Sequence, residues 1–257
     1  MKSFAFEPVK PAKRRSDRLS TFVLVHGAWH GSWCWDEVAR LLRNRGATVY
    51  SPTLTGLAER AHLTSITVGL ATHVQDVVGL VEFERLDGCV LVGHSYAGNI
   101  LTAVADSMRH RIGHFVYVDA VVPDDQARSW AWNHFHSAED RAARLDVIND
   151  AGHGKLLPAP SAEVFGLQSA EQIEFVQSRL TAMPAATYTD VLTFVNGGSN
   201  GLRRSYLAGV SPSYPSMRSI HQRIRADPGW HYEELAGGHD LMITAPAELA
   251  ERLWKLR

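Results

Sequence analysis

Short apolar segments alternate with helical segments along most of the chain, and this alternation constrains the fold more than any other feature. Residues 22–25 and 89–92 are β-rich apolar runs that each end in a glycine-containing turn before a helical pattern begins. Further β-rich segments occupy residues 47–50, 114–118, 203–209 and 230–235. Parallel strands need long crossover connections, and strands covered on both faces favour unbroken apolar runs. The sequence therefore predicts an α/β fold with a mostly parallel central sheet flanked by helices.

The alternation of strands and helices is interrupted in the second half of the chain. Residues 138–148 and 170–180 have helical spacing, but no clean buried strand accompanies them. We therefore predict an inserted, mainly helical cap at residues 124–200. The core of the protein is then formed by residues 21–123 and 201–257.

The first 20 residues differ from the rest of the chain in their charge. They carry six basic side chains, but they lack the apolar run of about 7 to 15 residues that a secretory signal needs. We expect residues 1–20 to be a mobile basic leader and the protein to be cytoplasmic. A docking tail for an acidic partner is the alternative interpretation.

Charge and composition limit the kinds of partner that we expect. The 257 residues include 26 basic and 27 acidic side chains, which gives a formal charge of −1. A chain with so little net charge has no overall field that attracts nucleic acid or anionic lipid.

Its longest apolar runs are far shorter than the roughly 20 residues of a membrane span. Two cysteines are too few for a disulfide framework. We expect a small-molecule substrate, no nucleic acid and no membrane, and the sequence leaves a homodimer open.

The most informative local sequence is a turn between a predicted strand and a predicted helix, Gly93-His94-Ser95-Tyr96-Ala97-Gly98. A sharp turn of this kind lifts a serine hydroxyl out of the sheet, and small neighbouring residues let the backbones approach. The helix N-terminus then points free N–H groups at whatever the serine attacks. Ser95 is therefore the predicted nucleophile, although Ala97 stands where the Gly-x-Ser-x-Gly pattern has its second glycine. An ordinary N-cap serine is the alternative.

A nucleophilic serine needs a general base, and His239 is the best placed of the 13 histidines. It follows Gly237 and Gly238 directly after the last predicted strand. Active sites of α/β proteins lie at the carboxyl edge of the sheet, so we expect the imidazole of His239 to meet the hydroxyl of Ser95 there. A loop histidine exposed to water is the alternative.

The turn after the first predicted strand supplies the next group of candidates, within His26-Gly27-Ala28-Trp29-His30-Gly31. Its backbone N–H groups can reach the same edge of the sheet, so the amides of Ala28 and Tyr96 form the predicted oxyanion hole. We expect Trp29 and His30 to line the substrate site. Metal ligation by the histidines is the alternative, but no carboxylate or cysteine cluster accompanies them at a ligand spacing.

These motifs, together with Val118-Asp119-Ala120-Val121-Val122-Pro123 and Gly238-His239-Asp240, resemble the α/β-hydrolase superfamily. The resemblance extends over residues 21–257 and is greatest to the branch of plant methyl-ester esterases, hydroxynitrile lyases and related bacterial carboxylesterases. It implies an α/β-hydrolase fold and a nucleophile, an acid and a histidine in that order along the chain. It also implies catalysis without a metal or an organic cofactor.

The acid is the one member of this arrangement that departs from the usual pattern. The resemblance implies an acid in the loop after the second-to-last strand, but residues 205–226 contain no Asp or Glu. Asp119 stands at the end of the strand after the nucleophile's helix, where some members of the superfamily, including haloalkane dehalogenases, carry their acid. We therefore predict Asp119 as the third member of a triad. Asp124, Asp240 or no acid at all are the alternatives.

The predicted reaction is hydrolysis of a carboxylic ester, or of a lactone or thioester, through an acyl-enzyme on Ser95. Aromatic residues of the predicted cap, above all Trp130 and Trp132, indicate a small apolar or aromatic substrate. The same fold admits two alternatives, a hydroxynitrile-lyase-like cleavage of cyanohydrins and a non-catalytic ligand receptor. The lyases that this chain resembles carry a lysine where Asp240 stands, and a carboxylate there would repel a leaving cyanide.

Overall fold

The structure is a computed structural model that describes residues 20–65, 67–124 and 129–257. Apart from residue 20, the predicted leader lies outside the described residues. The strands are β1 (Thr21–Val25), β2 (Thr48–Tyr50), β3 (Cys89–His94), β4 (Ile112–Val118), β5 (Ser129–Ala131), β6 (Leu156–Leu157), β7 (Met183–Pro184), β8 (Val191–Thr193), β9 (Arg204–Gly209) and β10 (His231–Leu235). The α-helices are α1 (Asp36–Asn44), α2 (Leu70–Phe83), α3 (Ala97–Met108), α4 (Ala138–Asn149), α5 (Ala170–Gln177), α6 (Ala186–Thr189), α7 (Arg218–Ala226), α8 (Leu241–Thr244) and α9 (Pro246–Leu256).

Six of these strands form one sheet in the order β10-β9-β4-β3-β1-β2, and every pair in it is parallel. β3 pairs with β1 on one side and with β4 on the other. All residues of β3 are buried, as expected for a strand that helices cover on both faces. The predicted parallel sheet flanked by helices is thus confirmed, and its strands end together at one carboxyl edge.

Hydrophobic cores on both faces of the sheet hold these strand ends in place. Side chains alternate between the two faces of a strand, so Val23 and Leu91 pack in one core with α2, α3 and α7. Leu24 and Val92 pack in the other core with α1 and α9. All four side chains are fully buried or nearly so. Loops at the carboxyl edge therefore start from fixed positions, which is what a precise constellation of side chains requires.

The chain between β4 and β9 combines helices with two short antiparallel ladders that the sequence did not indicate. β5 pairs with β8, and β6 pairs with β7. Strands of two or three residues are too short for an alternating pattern to be recognised. This segment packs on the carboxyl edge of the sheet. There the indole N–H of Trp29, in the loop after β1, donates to the carbonyl of Leu157 at 3.1 Å. The amide of Thr181 in turn donates to the carbonyl of Trp29 at 3.0 Å. The boundaries of the cap, residues 124–200, stay a prediction.

Two further expectations concern the membrane and the thiols. In the described parts of the chain, no helix has both the length and the apolar character needed to cross a bilayer. Cys34 and Cys89 are buried free thiols. Burial raises the pKa of the Cys89 thiol to about 12, so this group remains an inert part of the core.

Candidate active site

Ser95 lies at the tight turn between β3 and α3, and its backbone is strained. Its φ is +52°, a conformation that costs a side-chain-bearing residue roughly 1–3 kcal/mol and persists where the surroundings enforce it. A Cβ added to Gly98 would lie 1.8 Å from the carbonyl oxygen of Val121. The close backbone contact of this turn therefore falls at Gly98. Ala97 is tolerated one position earlier, which explains the departure from the Gly-x-Ser-x-Gly pattern.

His239 follows β10 and points at Ser95. Its Nε2 lies 2.9 Å from Oγ of Ser95, and its side chain is 2% exposed. The preceding residue, Gly238, allows two backbone segments to come close together. A Cβ on Gly238 would lie 2.2 Å from the carbonyl oxygen of Gly166 in the inserted segment. The inserted segment therefore packs directly against the backbone that carries the imidazole.

Asp119 completes this arrangement from the end of β4. Its Oδ2 lies 2.6 Å from Nδ1 of His239, and the residue is fully buried with a φ of +41°. A carboxylate only accepts hydrogen bonds, so Nδ1 of His239 carries the hydrogen and Nε2 is left to accept from Ser95. The structure thus brings Ser95, His239 and Asp119 into one continuous hydrogen-bonded chain.

The second oxygen of Asp119 has two donors that the sequence did not indicate. Oδ1 accepts from the amide of Gly209 at 3.1 Å and from Nε2 of His221 at 2.6 Å. Burial by itself raises the pKa of Asp119, but the hydrogen bonds from His221 and His239 outweigh it, and the pKa lies below its usual value. His221 belongs to α7, where its spacing looks like that of any helix residue, so no sequence signal separates it from the other histidines.

The amides predicted to form the oxyanion hole are available for a ligand. Among the described residues, no acceptor pairs with the backbone N–H of Ala28 or of Tyr96. The loop that carries Ala28 comes close to the nucleophile, since a Cβ on Gly27 would lie 3.0 Å from Cβ of Ser95. The next residue, Trp29, has a φ of +64°. A glycine before a strained turn thus lets this loop approach Ser95.

A buried ion pair supports the same loop. His30 donates from Nδ1 to the carbonyl of Ala28 at 2.7 Å and from Nε2 to Oδ2 of Asp240 at 3.0 Å. Burial lowers the pKa of His30, but the charge of Asp240 and the hydrogen bond to it raise the pKa above its ordinary value. His30 therefore has no free ring nitrogen for a substrate, and Asp240, a rival candidate for the acid, is bound to His30.

His94 separates this ion pair from the chain of Ser95, His239 and Asp119. Its Nε2 donates to the carbonyl of His239 at 3.0 Å. Burial, reinforced by the neighbouring His239, lowers the pKa of His94 to about 3, so the ring is neutral. It packs against His239 with the ring centroids 4.7 Å apart.

Aromatic side chains surround the site. Trp132, one of the predicted substrate residues, lies 6.0 Å from the ring of Trp29 and 4.8 Å from that of Tyr96. The indole of Trp130 donates to Asn99 at 2.8 Å. Tyr214, which the sequence analysis did not single out, stacks on the imidazole of His239 with centroids 4.2 Å apart. Tyr214 therefore gives the imidazole an aromatic surface, and the contact of Trp130 and Trp132 with substrate stays a prediction.

The described residues include no group of three or more His, Cys, Asp and Glu side chains arranged to hold a metal ion. His26, for which metal ligation was the alternative, accepts the amide of Leu54 on Nε2 at 3.0 Å. Its other ring nitrogen lies 2.8 Å from the carbonyl of Gly27. Burial lowers the pKa of His26 to about 3. It is a neutral structural histidine.

Comparison with known proteins agrees with this fold. A sequence model of the Alpha/beta hydrolase family matches residues 22–252. The carbendazim hydrolyzing esterase of Nocardioides sp. (strain SG-4G) is 37% identical over 240 residues, which are 91% of this chain and 98% of that protein. Methylesterase 9 of Arabidopsis thaliana is 27% identical over 255 residues, or 93% of this chain and 98% of that protein. An extracellular alpha/beta-hydrolase from a Paenibacillus species superposes with a TM-score of 0.77 at 24% identity, covering 92% of this chain and 98% of that one.

The chain therefore belongs to the alpha/beta hydrolase family, as the resemblance of its motifs predicts. The fold is that of the family, and the esterase related over almost its whole length identifies this protein as a carboxylic ester hydrolase. A fold alone hosts many reactions, so the role of each residue depends on the chemistry of the site.

Proposed function

We propose that the protein hydrolyses a small carboxylic ester through a Ser95–His239–Asp119 triad and an acyl-enzyme. The observation that carries this proposal is the continuous chain of short contacts. Nε2 of His239 lies 2.9 Å from the hydroxyl of Ser95, and Nδ1 lies 2.6 Å from the carboxylate of Asp119. A nucleophile within reach of a base that a third group orients is the signature of nucleophilic catalysis.

In the first half of the proposed reaction, Oγ of Ser95 attacks the ester carbonyl carbon while Nε2 of His239 takes the hydroxyl proton. Asp119 stabilises the imidazolium that forms. The carbonyl oxygen becomes an oxyanion that accepts hydrogen bonds from the amides of Ala28 and Tyr96. When the tetrahedral intermediate collapses, the C–O bond to the alcohol breaks. The leaving oxygen takes the proton back from His239, and the acyl group stays on Ser95.

In the second half, water replaces the alcohol. His239 removes a proton from the water as its oxygen attacks the acyl carbon. The bond between the acyl carbon and Oγ of Ser95 then breaks, Ser95 regains its proton from His239, and the carboxylic acid leaves. The free enzyme is restored with no cofactor, and one ester and one water become one acid and one alcohol.

The substrate class follows from the aromatic surroundings and from the relatives. Tyr214 stacks on the imidazole of His239, and Trp132 packs against both Trp29 and Tyr96. These aromatic contacts support an ester with a small apolar or aromatic group. The relative at 37% identity is named for hydrolysing carbendazim. We therefore propose carbendazim, the methyl ester of a carbamic acid, as the first candidate substrate, followed by methyl esters of aromatic acids. With carbendazim the group left on Ser95 is a carbamoyl group, methanol is the leaving alcohol, and the carbamic acid that water releases breaks down to an amine and CO₂.

The test is an activity screen of the purified full chain against p-nitrophenyl esters, carbendazim, aromatic methyl esters, lactones and thioesters. We expect turnover of at least one ester, and loss of turnover in Ser95→Ala. Cyanide release from mandelonitrile would support the lyase alternative. Tight binding without turnover of any ester would support the receptor alternative.

A second serine offers a matched control. Oγ of Ser205 lies 2.9 Å from Nε2 of His114, and both residues are buried. The other nitrogen of His114 bonds the carbonyl of Leu256 and not a carboxylate. Ser205→Ala therefore removes a serine–histidine contact of the same length outside the proposed triad, and it should leave ester hydrolysis within a few-fold of wild type. Equal losses in Ser95→Ala and Ser205→Ala would contradict the proposal.

A further inference from the structure

Asp119 occupies an unusual position between two imidazoles. His239 bonds one carboxylate oxygen and His221 bonds the other, both at 2.6 Å. The mechanism above uses His239 alone. We infer that His221 is a positioning residue, which fixes the orientation of the Asp119 carboxylate and keeps it ionised so that it can align the base. This inference rests on the proposed function, because it needs His239 to act as the base.

The location of Asp119 explains why it needs a second donor. The loop after β9 contains no carboxylate, so the acid reaches His239 from the neighbouring strand β4. Asp119 is fully buried, and a buried carboxylate without enough donors becomes protonated or rotates. The amide of Gly209, at the end of β9, supplies one bond to Oδ1 at 3.1 Å. His221 supplies the shorter bond, and α7 holds it there through the buried side chains of Ile220 and Ile224.

The other ring nitrogen of His221 faces away from Asp119. Among the described residues, Nδ1 of His221 has no hydrogen-bond partner. The residue lines a cavity of about 220 Å³ between the loop after β9, helix α7 and strand β10. The hydrogen bond to Asp119 needs a hydrogen on Nε2 of His221. A neutral ring with its hydrogen on Nε2 provides it, and so does an imidazolium. In both states Nε2 donates to the carboxylate, so the positioning contact does not depend on the charge of His221.

Several ionisable groups face His221 and define its electrostatic surroundings. Asp119 contacts it from β4, and the ring of Tyr206 on β9 lies 5.6 Å from its centroid in an edge-to-face arrangement. The remaining groups line the same cavity, and they are Arg218 and Arg225 from α7 and Tyr232 and Glu234 from β10. Arg225 pairs with Glu234. None of these cavity residues bonds Nε2 of His221. Substitutions of His221 should therefore leave their own contacts unchanged.

The experiment compares His221→Gln, His221→Asn and His221→Phe. The side-chain amide nitrogen of Gln takes the place of Nε2 and can reach Oδ1, whereas that of Asn is one methylene shorter. We expect His221→Asn and His221→Phe to lower kcat/KM by about 10-fold to 100-fold, the effect of losing a hydrogen bond to a charged group. His221→Gln should restore most of the loss.

The pH profile gives a readout that a merely structural role would not move. Without the donor from His221, Oδ1 keeps only the amide of Gly209. The coupled pair of Asp119 and His239 then binds a proton more readily, so the acidic limb of kcat/KM should move to higher pH by about one unit. The limb should return to its wild-type position in His221→Gln. His114→Phe removes a different buried histidine, and it should leave the limb unmoved.

The outcomes separate this inference from the proposed function. Wild-type hydrolysis that Ser95→Ala abolishes supports the triad whatever happens at position 221. If His221→Asn and His221→Phe then keep the wild-type limb and kcat/KM within threefold of His114→Phe, His221 is not a positioning residue. If His221→Phe fails to fold, the comparison of Gln with Asn decides the question. Equal activity and equal limbs in those two variants would overturn the inference.

Discussion

Nδ1 of His239 lies 2.6 Å from Oδ2 of Asp119, although the two residues are 120 positions apart in the chain. The contact joins the end of β4 to the loop after β10, two strands that β9 separates in the sheet. A carboxylate can therefore hydrogen-bond this imidazole from the end of a strand that is not adjacent to β10. The positive φ of Asp119, +41°, is part of the geometry that turns its side chain towards the imidazole.

The first prediction concerns the charge of this carboxylate. Asp119→Asn keeps the shape of the side chain but presents an amide to Nδ1 of His239, which favours the wrong tautomer of the base. We expect kcat for a p-nitrophenyl ester to fall by about 10⁴-fold. Asp106→Asn is the control, because Asp106 is also a buried carboxylate but bonds the amides of residues 195, 196 and 198. A loss under tenfold in Asp119→Asn would remove Asp119 from the triad.

The second prediction concerns stability and the ion pair of His30 and Asp240. The pKa of His30 is raised in the folded state. Protonated His30 therefore contributes fully to the free energy of unfolding below about pH 6.5, the pKa of an unfolded histidine. This contribution is lost as the pH rises through the pKa of His30 in the folded protein. The pKa of Asp240 is lowered despite its burial, chiefly by His30. Ionised Asp240 therefore contributes fully to the free energy of unfolding above about pH 3.9, the pKa of an unfolded aspartate. This contribution is lost as the pH falls through the pKa of Asp240 in the folded protein.

The pair should therefore stabilise the fold most between about pH 4 and pH 6.5. We expect Asp240→Asn to lower the free energy of unfolding by about 3 kcal/mol at pH 6, because it leaves a buried imidazole without its counter-charge. The difference from wild type should narrow at pH 9. Urea denaturation of both proteins at the two pH values measures it, and a difference that grows with pH would disprove the assignment of charge.

The third prediction concerns the glycine of the nucleophile turn. A Cβ at Gly98 would lie 1.8 Å from a backbone oxygen, so Gly98→Ala must displace either α3 or the chain at Val121. We expect a loss of at least about 2 kcal/mol in stability together with loss of esterase activity. Gly79, in the middle of α2, has nothing within 4 Å of its added Cβ. Gly79→Ala should therefore stabilise the protein by about 0.5–1 kcal/mol, and equal behaviour of the two variants would argue against the packing account.

Much of the fold was predictable because the central strands β1, β3 and β4 contain apolar runs that end at turns. The expected run at residues 89–92 is the core of β3, and the segment at residues 203–209 differs from β9 by one residue. The meeting of Ser95 with His239 followed from the rule that loops at one sheet edge converge. Asp119 followed from the resemblance to the superfamily, because residues 205–226 contain no Asp or Glu and some members carry their acid at the end of the strand where Asp119 stands.

Other features were not predictable because they depend on packing between distant segments. His30 bonds Asp240 across 210 positions, and neither residue carries a local signal of that pairing. His221 lies on a helix face that any buried residue could occupy. Tyr214 reaches the imidazole of His239 from a loop, and a loop conformation has no periodicity to read. Helical and strand patterns specify local structure, whereas these contacts arise only when the sheet and the inserted segment are assembled.

The most direct test of the central claim is covalent labelling of the full chain with an organophosphonate, followed by peptide mass mapping. The account predicts one adduct, on Ser95, that forms as activity is lost. It also predicts that His239→Ala slows labelling by orders of magnitude, while Ser205→Ala labels at the wild-type rate. Loss of activity without modification of Ser95, or labelling of Ser95 at an unchanged rate in His239→Ala, would contradict it.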